Sequence, residues 1–285
     1  MTDSVEIYYF SGTGNSLYVA RELQKRIPGA KLIPIVSLLD KDVIETDAET
    51  VGFVFPLHGM TTPIPVKKFL TRADFKTARY LFAAVTRAGT KCLAFNKINK
   101  ILKGRGKALD ACFTLTMASN DPKFEDYEIP SKEKIAGIDT KVQEQLDFMG
   151  RMINNREKCL EADRDFVDAG FLLERLVLLG MKYAGYDGAR NYFYADTRCT
   201  GCGLCEKVCL SRKIKMVDKK PVWQNDRKCY LCYACINFCP QQAAQIKTKW
   251  YMKSYTDRNG RYPHPYATAN DIVGQKCSRP AGKET

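Results

Sequence analysis

The sequence predicts an α/β protein with a doubly wound, five-stranded parallel sheet, followed by a linker helix and a small α+β domain. Three observations indicate this fold class. Within the first 156 residues, short apolar runs alternate with helical patterns, which is typical of a parallel sheet covered by helices on both faces. A polar stretch with prolines, residues 118–134, then separates this region from further helical patterns. Finally, eight of the 12 cysteines fall between Cys199 and Cys239, which marks a second, smaller unit.

The individual elements follow from the spacing of apolar residues. The predicted strands are residues 5–10, 31–36, 51–55, 80–85 and, more weakly, 108–117. The predicted helices are residues 17–27, 65–71, 91–102, 134–156 and 165–183. The last of these is apolar on more than one face, which suggests burial between domains or in a dimer contact. A plain core helix is the favoured interpretation over a dimer contact. The predicted divisions of the chain are residues 1–156 for the sheet domain, 157–195 for a helical linker, 196–248 for the cysteine-rich domain and 249–285 for a basic C-terminal tail.

Charge and hydropathy exclude several classes of protein. The formal net charge is +13, and residues 196–285 carry most of it, with 17 Lys+Arg against 7 Asp+Glu. Apolar stretches stay short of the roughly 18 residues that a membrane span needs, and the first residues lack the basic start of a secretory signal. We therefore expect a soluble, cytoplasmic protein. A basic surface could bind nucleic acid, but the cluster from Arg212 to Lys220 has no interleaved stacking aromatics, which argues against it.

The cysteines carry the most specific signal in the chain. They form two copies of C-x2-C-x2-C-x3-C, 30 residues apart, namely Cys199, Cys202, Cys205, Cys209 and then Cys229, Cys232, Cys235, Cys239. In proteins with two [4Fe–4S] clusters, three close cysteines hold one cluster and the fourth ligates the other. The first cluster would thus take Cys199, Cys202, Cys205 and Cys239, and the second Cys229, Cys232, Cys235 and Cys209. Zinc sites usually use paired C-x2-C knuckles instead, and structural disulfides conflict with the cytosol.

A glycine-rich turn joins the first predicted strand to the first predicted helix. It consists of Ser11, Gly12, Thr13, Gly14, Asn15 and Ser16. Free backbone N–H groups at a helix N-terminus favour phosphate. The turn matches neither the Walker A motif nor G-x-G-x-x-G, and it contains no cation, which suits a monophosphate such as that of FMN. The alternative is an ordinary turn of Gly, Ser and Asn.

The glycine-rich turn and the repeated cysteine motif together resemble the flavodoxin–ferredoxin fusion proteins of anaerobic bacteria and archaea. The resemblance implies a flavodoxin-like FMN-binding domain, a linker helix and a small α+β two-[4Fe–4S] ferredoxin domain. It also implies that two loops flank the flavin ring, formed by Leu57, His58, Gly59, Met60 and by Thr86, Arg87, Ala88, Gly89. Neither loop offers Trp or Tyr, so Met60, His58 or Arg87 would contact the ring. His264, between two prolines, is expected to be an exposed turn residue.

The functional expectation is electron transfer between a redox partner, two [4Fe–4S] clusters and FMN. We find no acid–base dyad and predict no catalytic residue, which favours an electron carrier over a substrate-specific oxidoreductase. The alternative is an FMN-dependent reductase of a small molecule, fed by the ferredoxin domain. The basic cluster domain suits an acidic redox carrier, such as a ferredoxin or flavodoxin, or an oxidoreductase as the partner.

Overall fold

The computed structural model describes residues 4–160, 170–180, 192–250 and 252–277. Its strands are β1 (Val5–Tyr9), β2 (Ala30–Pro34), β3 (Ile44–Glu45), β4 (Thr50–Pro56), β5 (Ala73–Asp74), β6 (Tyr80–Arg87), β7 (Ala111–Thr116), β8 (Phe193–Ala195), β9 (Ile214–Val217), β10 (Lys220–Trp223) and β11 (Ala244–Ile246). Its α-helices are α1 (Asn15–Arg26), α2 (Ile64–Arg72), α3 (Ala94–Lys103), α4 (Lys132–Asn154), α5 (Phe171–Gly180), α6 (Leu204–Val208), α7 (Ala234–Asn237) and α8 (Ala269–Gly274).

Five strands form one parallel sheet in the order β2-β1-β4-β6-β7. Leaving aside the separate short pair of β3 and β5, this is the order 2-1-3-4-5 of the flavodoxin-like doubly wound fold. The predicted fold class is therefore confirmed. In such a sheet, ligands bind beyond the carboxyl ends of the strands, where the strand order reverses. Here the reversal lies between β1 and β4.

Both faces of the sheet are covered, because neighbouring residues of each strand enter different cores. Phe53 and Phe55 of β4 pack with α2 and α3, whereas Val54 packs with α1 and α4. A strand buried on both sides needs apolar residues at successive positions rather than at alternate ones. This requirement explains why uninterrupted apolar runs identified the strands, which end within three residues of the predicted positions.

Helix α5 differs from the expectation for a core helix. Four of its leucines are at least half exposed: Leu172, Leu173, Leu176 and Leu179. Among the side chains of α5 that the structure describes, the buried one is Glu174, whose carboxylate pairs with Lys91 at 2.9 Å. The prediction of a core helix over residues 165–183 is therefore wrong for this described stretch, and the rest of it lies outside the described residues. Among the described residues, no helix is long and apolar enough to cross a membrane.

The cysteine-rich domain consists of two antiparallel strand pairs and two short helices. Strand β8 pairs with β11, and β9 pairs with β10. Helices α6 and α7 start inside the first and the second cysteine motif. They share one apolar core with the sheet domain, which includes Val208, Leu210, Ala234 and Phe10. The cysteine-rich domain thus packs directly onto the sheet domain.

The described part of the predicted basic tail folds back onto the sheet domain. Ile272 and Gln275 are fully buried, and α8 begins with a capping box between Thr268 and Asp271. Arg21 of α1 forms an ion pair with Asp271. Residues 252–277 therefore connect the two domains a second time, after the chain has left the cysteine motifs.

Candidate functional site

The first cysteine group lines a small cavity of about 20 Å³ that is partly open to solvent. Its cysteines are Cys199, Cys202, Cys205 and Cys239. Three belong to the first motif, and the fourth belongs to the second. Burial raises the pKa of the Cys205 thiol to about 12, and three neighbouring thiols add to the rise. These neighbours are Cys239, Cys199 and Cys202.

The second cysteine group has the complementary membership. Burial raises the pKa of the Cys235 thiol far above its ordinary value, and nearby thiols add to the rise. These neighbours are, in decreasing order of effect, Cys209, Cys229, Cys232 and Cys205. Cys209 acts in the same direction on Cys229 and Cys232. The fourth cysteine of each motif therefore lies with the first three of the other. The effect of Cys205 on Cys235 indicates that the two groups are adjacent.

The two motifs repeat one backbone shape at an interval of 30 residues. Gly201 and Gly203 have positive φ angles of 73° and 76°, and their equivalents Leu231 and Tyr233 have 52° and 55°. Positive φ is uncommon outside glycine, so the second motif keeps the loop shape without the residue that favours it. Sequence reasoning missed these two positions, although aligning the repeats would have placed them opposite the two glycines.

Backbone N–H groups are directed at the cysteine sulfurs in the same repeated manner. The Lys213 N–H donates to Cys209 Sγ and the Ala243 N–H donates to Cys239 Sγ, each at 3.2 Å. The Leu231 N–H donates to Cys229 Sγ at 3.3 Å. Such bonds stabilise a thiolate and tune the reduction potential of a cluster that it ligates.

The donor set fits [4Fe–4S] clusters better than single metal ions. Among the described stretches of the chain, no three His, Cys, Asp or Glu side chains are arranged to hold one ion. A zinc site would need such a group, whereas a cubane distributes its four thiolates over separate iron atoms. Burial also raises the pKa of the Cys229 thiol to about 12. Ligation by iron would replace the protons on such thiols.

A buried lysine distinguishes the second group from the first. Lys213 is 1% exposed, and its ammonium donates to the carbonyl oxygens of Gln224 and Arg227. It lies close enough to Cys229 to favour that residue's thiolate. The position 30 residues later is Ala243, so the first group has no lysine at the equivalent position.

Replacing Lys213 with Met should lower the reduction potential of one cluster and leave the other unchanged. Removing a cation disfavours the added electron, and a shift on the order of tens of millivolts is expected for a charge at this depth. A redox titration followed by electron paramagnetic resonance (EPR) measures both clusters. Lys228→Met, which removes an exposed cation one residue before Cys229, should shift neither potential by as much. Equal shifts in both clusters of Lys213→Met would contradict the assignment.

The three loops predicted for the flavin meet at the carboxyl edge of the sheet. The Ser16 hydroxyl lies 2.7 Å from the Thr86 hydroxyl, and the Leu57 N–H donates to the Thr86 carbonyl oxygen at 2.8 Å. Met60 is buried with a φ of 64°. Arg87 is buried and donates to the Thr90 carbonyl oxygen at 3.1 Å.

The remaining residues of these two loops are Gly59, Ala88, Gly89 and His58. Gly59 has a φ of 50° in the turn that follows His58, and Ala88 is exposed, with the half-buried Gly89 after it. His58 itself faces Phe10, with ring centroids 6.0 Å apart. Burial and the nearby charge of Lys123 lower the pKa of His58 to about 4, so its imidazole is neutral at pH 7.

The chain's own residues fill the place that FMN would need. All six residues of the glycine-rich loop are buried. A Cβ at Gly12 would overlap the carbonyl oxygen of Cys232. The ring of Tyr230 lies 6.3 Å from that of Phe10, at the edge where a flavin would lie. In this arrangement the residues present do not fit FMN.

His264 takes part in covering the loop, so the expectation that it is an exposed turn residue is wrong. It is 7% exposed, and its ring stacks on Tyr18 with centroids 4.4 Å apart. The flanking prolines suggested a surface turn, but the turn folds inward against α1.

Comparison with known proteins gives separate matches for the cysteine-rich domain and for the sheet domain. Residues 198–244 match the family model described as a 4Fe-4S dicluster domain. Among curated proteins, none matches the chain.

The sheet domain has distant likenesses among solved structures. One is the rubredoxin oxygen:oxidoreductase of Desulfovibrio gigas, with 16% identity and a TM-score of 0.37 over 54% of this chain and 36% of that one. A flavodoxin from Archaea matches with 13% identity and a TM-score of 0.31, over 52% of this chain and 99% of that one. An FMN-dependent NADH-azoreductase from Bacillus anthracis matches with 11% identity and a TM-score of 0.34, again over 52% of this chain and 99% of that one. The match thus spans about a third of the oxidoreductase, and likenesses this distant carry no information on function.

The strand order and the matched cysteine region define the class of protein. A flavodoxin-like sheet domain is joined to a domain of the 4Fe-4S dicluster type. The chain therefore has the organisation of a flavodoxin–ferredoxin fusion protein, with its iron–sulfur region at residues 198–244.

Proposed function

We propose that the chain carries electrons one at a time through two [4Fe–4S] clusters with crossed ligation. The observation that supports this most strongly is the separation of eight cysteines into two groups of four, each with three members from one motif and one from the other. Each cluster supplies one-electron chemistry when it is bound. The protein holds the thiolates, aims N–H groups at the sulfurs and limits solvent access.

The first group is the more accessible entry point. Cys202 is exposed, whereas Cys209 of the second group is buried. The second group instead faces the sheet domain, since Tyr230 and Cys232 pack against its core. An electron would therefore enter at the first cluster and pass to the second, which lies next to it.

Two exposed lysines lie at this entry point. Gly201 in the first motif lies so close to Lys219 that a Cβ would come within 2.6 Å of the lysine's carbonyl oxygen. Lys219 and Lys220 are both exposed. An acidic redox carrier, such as a ferredoxin or flavodoxin, has the complementary charge for this surface. The surface supports this partner over the alternative of a small-molecule reductase, which would need an FMN ring open to substrate.

The double variant Lys219→Glu, Lys220→Glu tests this function. Its reduction by a reduced acidic ferredoxin should slow on the order of tenfold at low ionic strength, because the charge that steers the carrier is reversed. The difference should disappear as salt screens it. Stopped-flow absorbance measures the rate.

The matched control is Lys132→Glu, Lys134→Glu, which makes the same charge change on exposed residues of α4 in the sheet domain. Its rate should stay near that of the wild type. Equal slowing of both variants would show that net charge alone matters and would contradict docking at the cluster domain.

A further inference from the structure

Gln275 of the C-terminal segment binds the backbone of the glycine-rich loop. The side-chain amide of this fully buried residue accepts a hydrogen bond from the Ser11 N–H at 3.0 Å and donates one to the Ser11 carbonyl oxygen at 2.7 Å. A glutamine amide thus pairs with the backbone as another strand would. The Ser11 hydroxyl accepts from the Gly14 N–H at 3.1 Å. Two N–H groups that a phosphate would require are therefore already bonded within the chain.

His264 of the same segment also packs against the glycine-rich loop. Its N–H donates to the Thr13 carbonyl oxygen at 2.8 Å. A Cβ at Gly14 would lie 2.6 Å from Ala267 Cβ and 2.7 Å from His264 Cβ. Gly14 also has a φ of 106°, so glycine here serves both the turn and the close approach of another segment. The space beside Gly14 that a phosphate would need is therefore occupied by the C-terminal segment.

The second cysteine motif also packs against the glycine-rich loop. Gly12 lies directly against the backbone carbonyl of Cys232, with no space for a side chain between them. If Cys232 holds a cluster, the loop lies beside a unit whose charge with four thiolates is about −2. The loop itself contains no cation. Burying a phosphate dianion beside that charge, without a pairing cation, is strongly unfavourable.

We infer that the second cysteine motif and the C-terminal segment dock onto the glycine-rich loop, and that FMN does not bind to the loop while they are docked. The loop keeps a form suited to phosphate, but its glycines and N–H groups hold the two domains together. This inference rests on contacts of the loop and not on the proposed electron transfer. Its failure would therefore not affect the proposal that the chain binds two clusters.

Equilibrium dialysis of anaerobically purified, cluster-loaded full-length protein against FMN tests the inference. The expected result is no bound FMN above a dialysis blank, with the iron content showing that the protein is intact. One FMN retained per chain alongside a full iron complement would overturn the inference.

Hydrogen exchange of the loop supplies the independent measurement. In Gln275→Ala, exchange of the Ser11 amide should speed up on the order of tenfold, because its side-chain acceptor is lost. Gln145→Ala, at an exposed position of α4, is the matched control and should leave it unchanged. Adding FMN to the wild type should also leave it unchanged. Equal exchange in the two variants, or protection by FMN, would contradict the inference.

Discussion

Replacing Cys199 and Cys239 together with serine is expected to remove one cluster and leave the other intact. Both residues line the same cavity, so the second substitution damages a site that the first has already lost. The purified variant should retain about four iron atoms per chain, half of the wild-type content. The reduced protein should then give the EPR spectrum of an isolated cluster, without magnetic coupling to a neighbour.

The matched variant replaces Cys199 and Cys209, which belong to one motif but to different groups. It should lose both clusters. If ligation followed the sequence motifs, the results would be exchanged: the Cys199, Cys209 pair would retain one cluster and the Cys199, Cys239 pair would retain none. Iron analysis of the two double variants therefore decides between crossed and sequential ligation.

Replacing Gly12 with Ala should destabilise the protein and impair the second cluster. The added methyl group would overlap the Cys232 carbonyl oxygen, and a backbone group cannot rotate away from it. Overpacking of this kind costs about 1–3 kcal/mol in the free energy of unfolding. Because the displaced residue is a predicted ligand, cluster content should fall together with the midpoint of thermal unfolding.

Gly137→Ala is the control for this substitution. Gly137 lies inside α4 with no atom near its missing Cβ, and alanine at such a helical site should stabilise by about 0.5–1 kcal/mol. Its iron content should match the wild type. A Gly12→Ala protein with unchanged stability and a full iron complement would show that Cys232 does not rest on the loop.

The sheet domain was predictable because its strands are buried on both sides. That burial demands consecutive apolar residues, and the runs at β4 and β6 show them directly. The cysteine groups were predictable for a chemical reason, since the spacing of ligands is dictated by the cluster. Helix α5 was not predictable, because apolar composition does not show whether a neighbour covers the helix.

The covering of the glycine-rich loop could not be read from the sequence either. Gln275 is 264 positions away from Ser11, and a lone glutamine in a basic stretch carries no local signal for burial. A loop that binds phosphate and a loop that accepts close backbone packing both require glycine and small polar residues. The motif therefore predicts a phosphate site or an ordinary turn, and only the tertiary structure shows which groups approach the loop.

Iron, acid-labile sulfide and zinc analysis of anaerobically purified protein tests most directly whether this chain holds two [4Fe–4S] clusters. We predict about eight iron and eight sulfide ions per chain, with uptake of about two electrons in a reductive titration. A preparation that holds zinc in place of iron, or that reaches only about four iron atoms after full reconstitution, would contradict the claim.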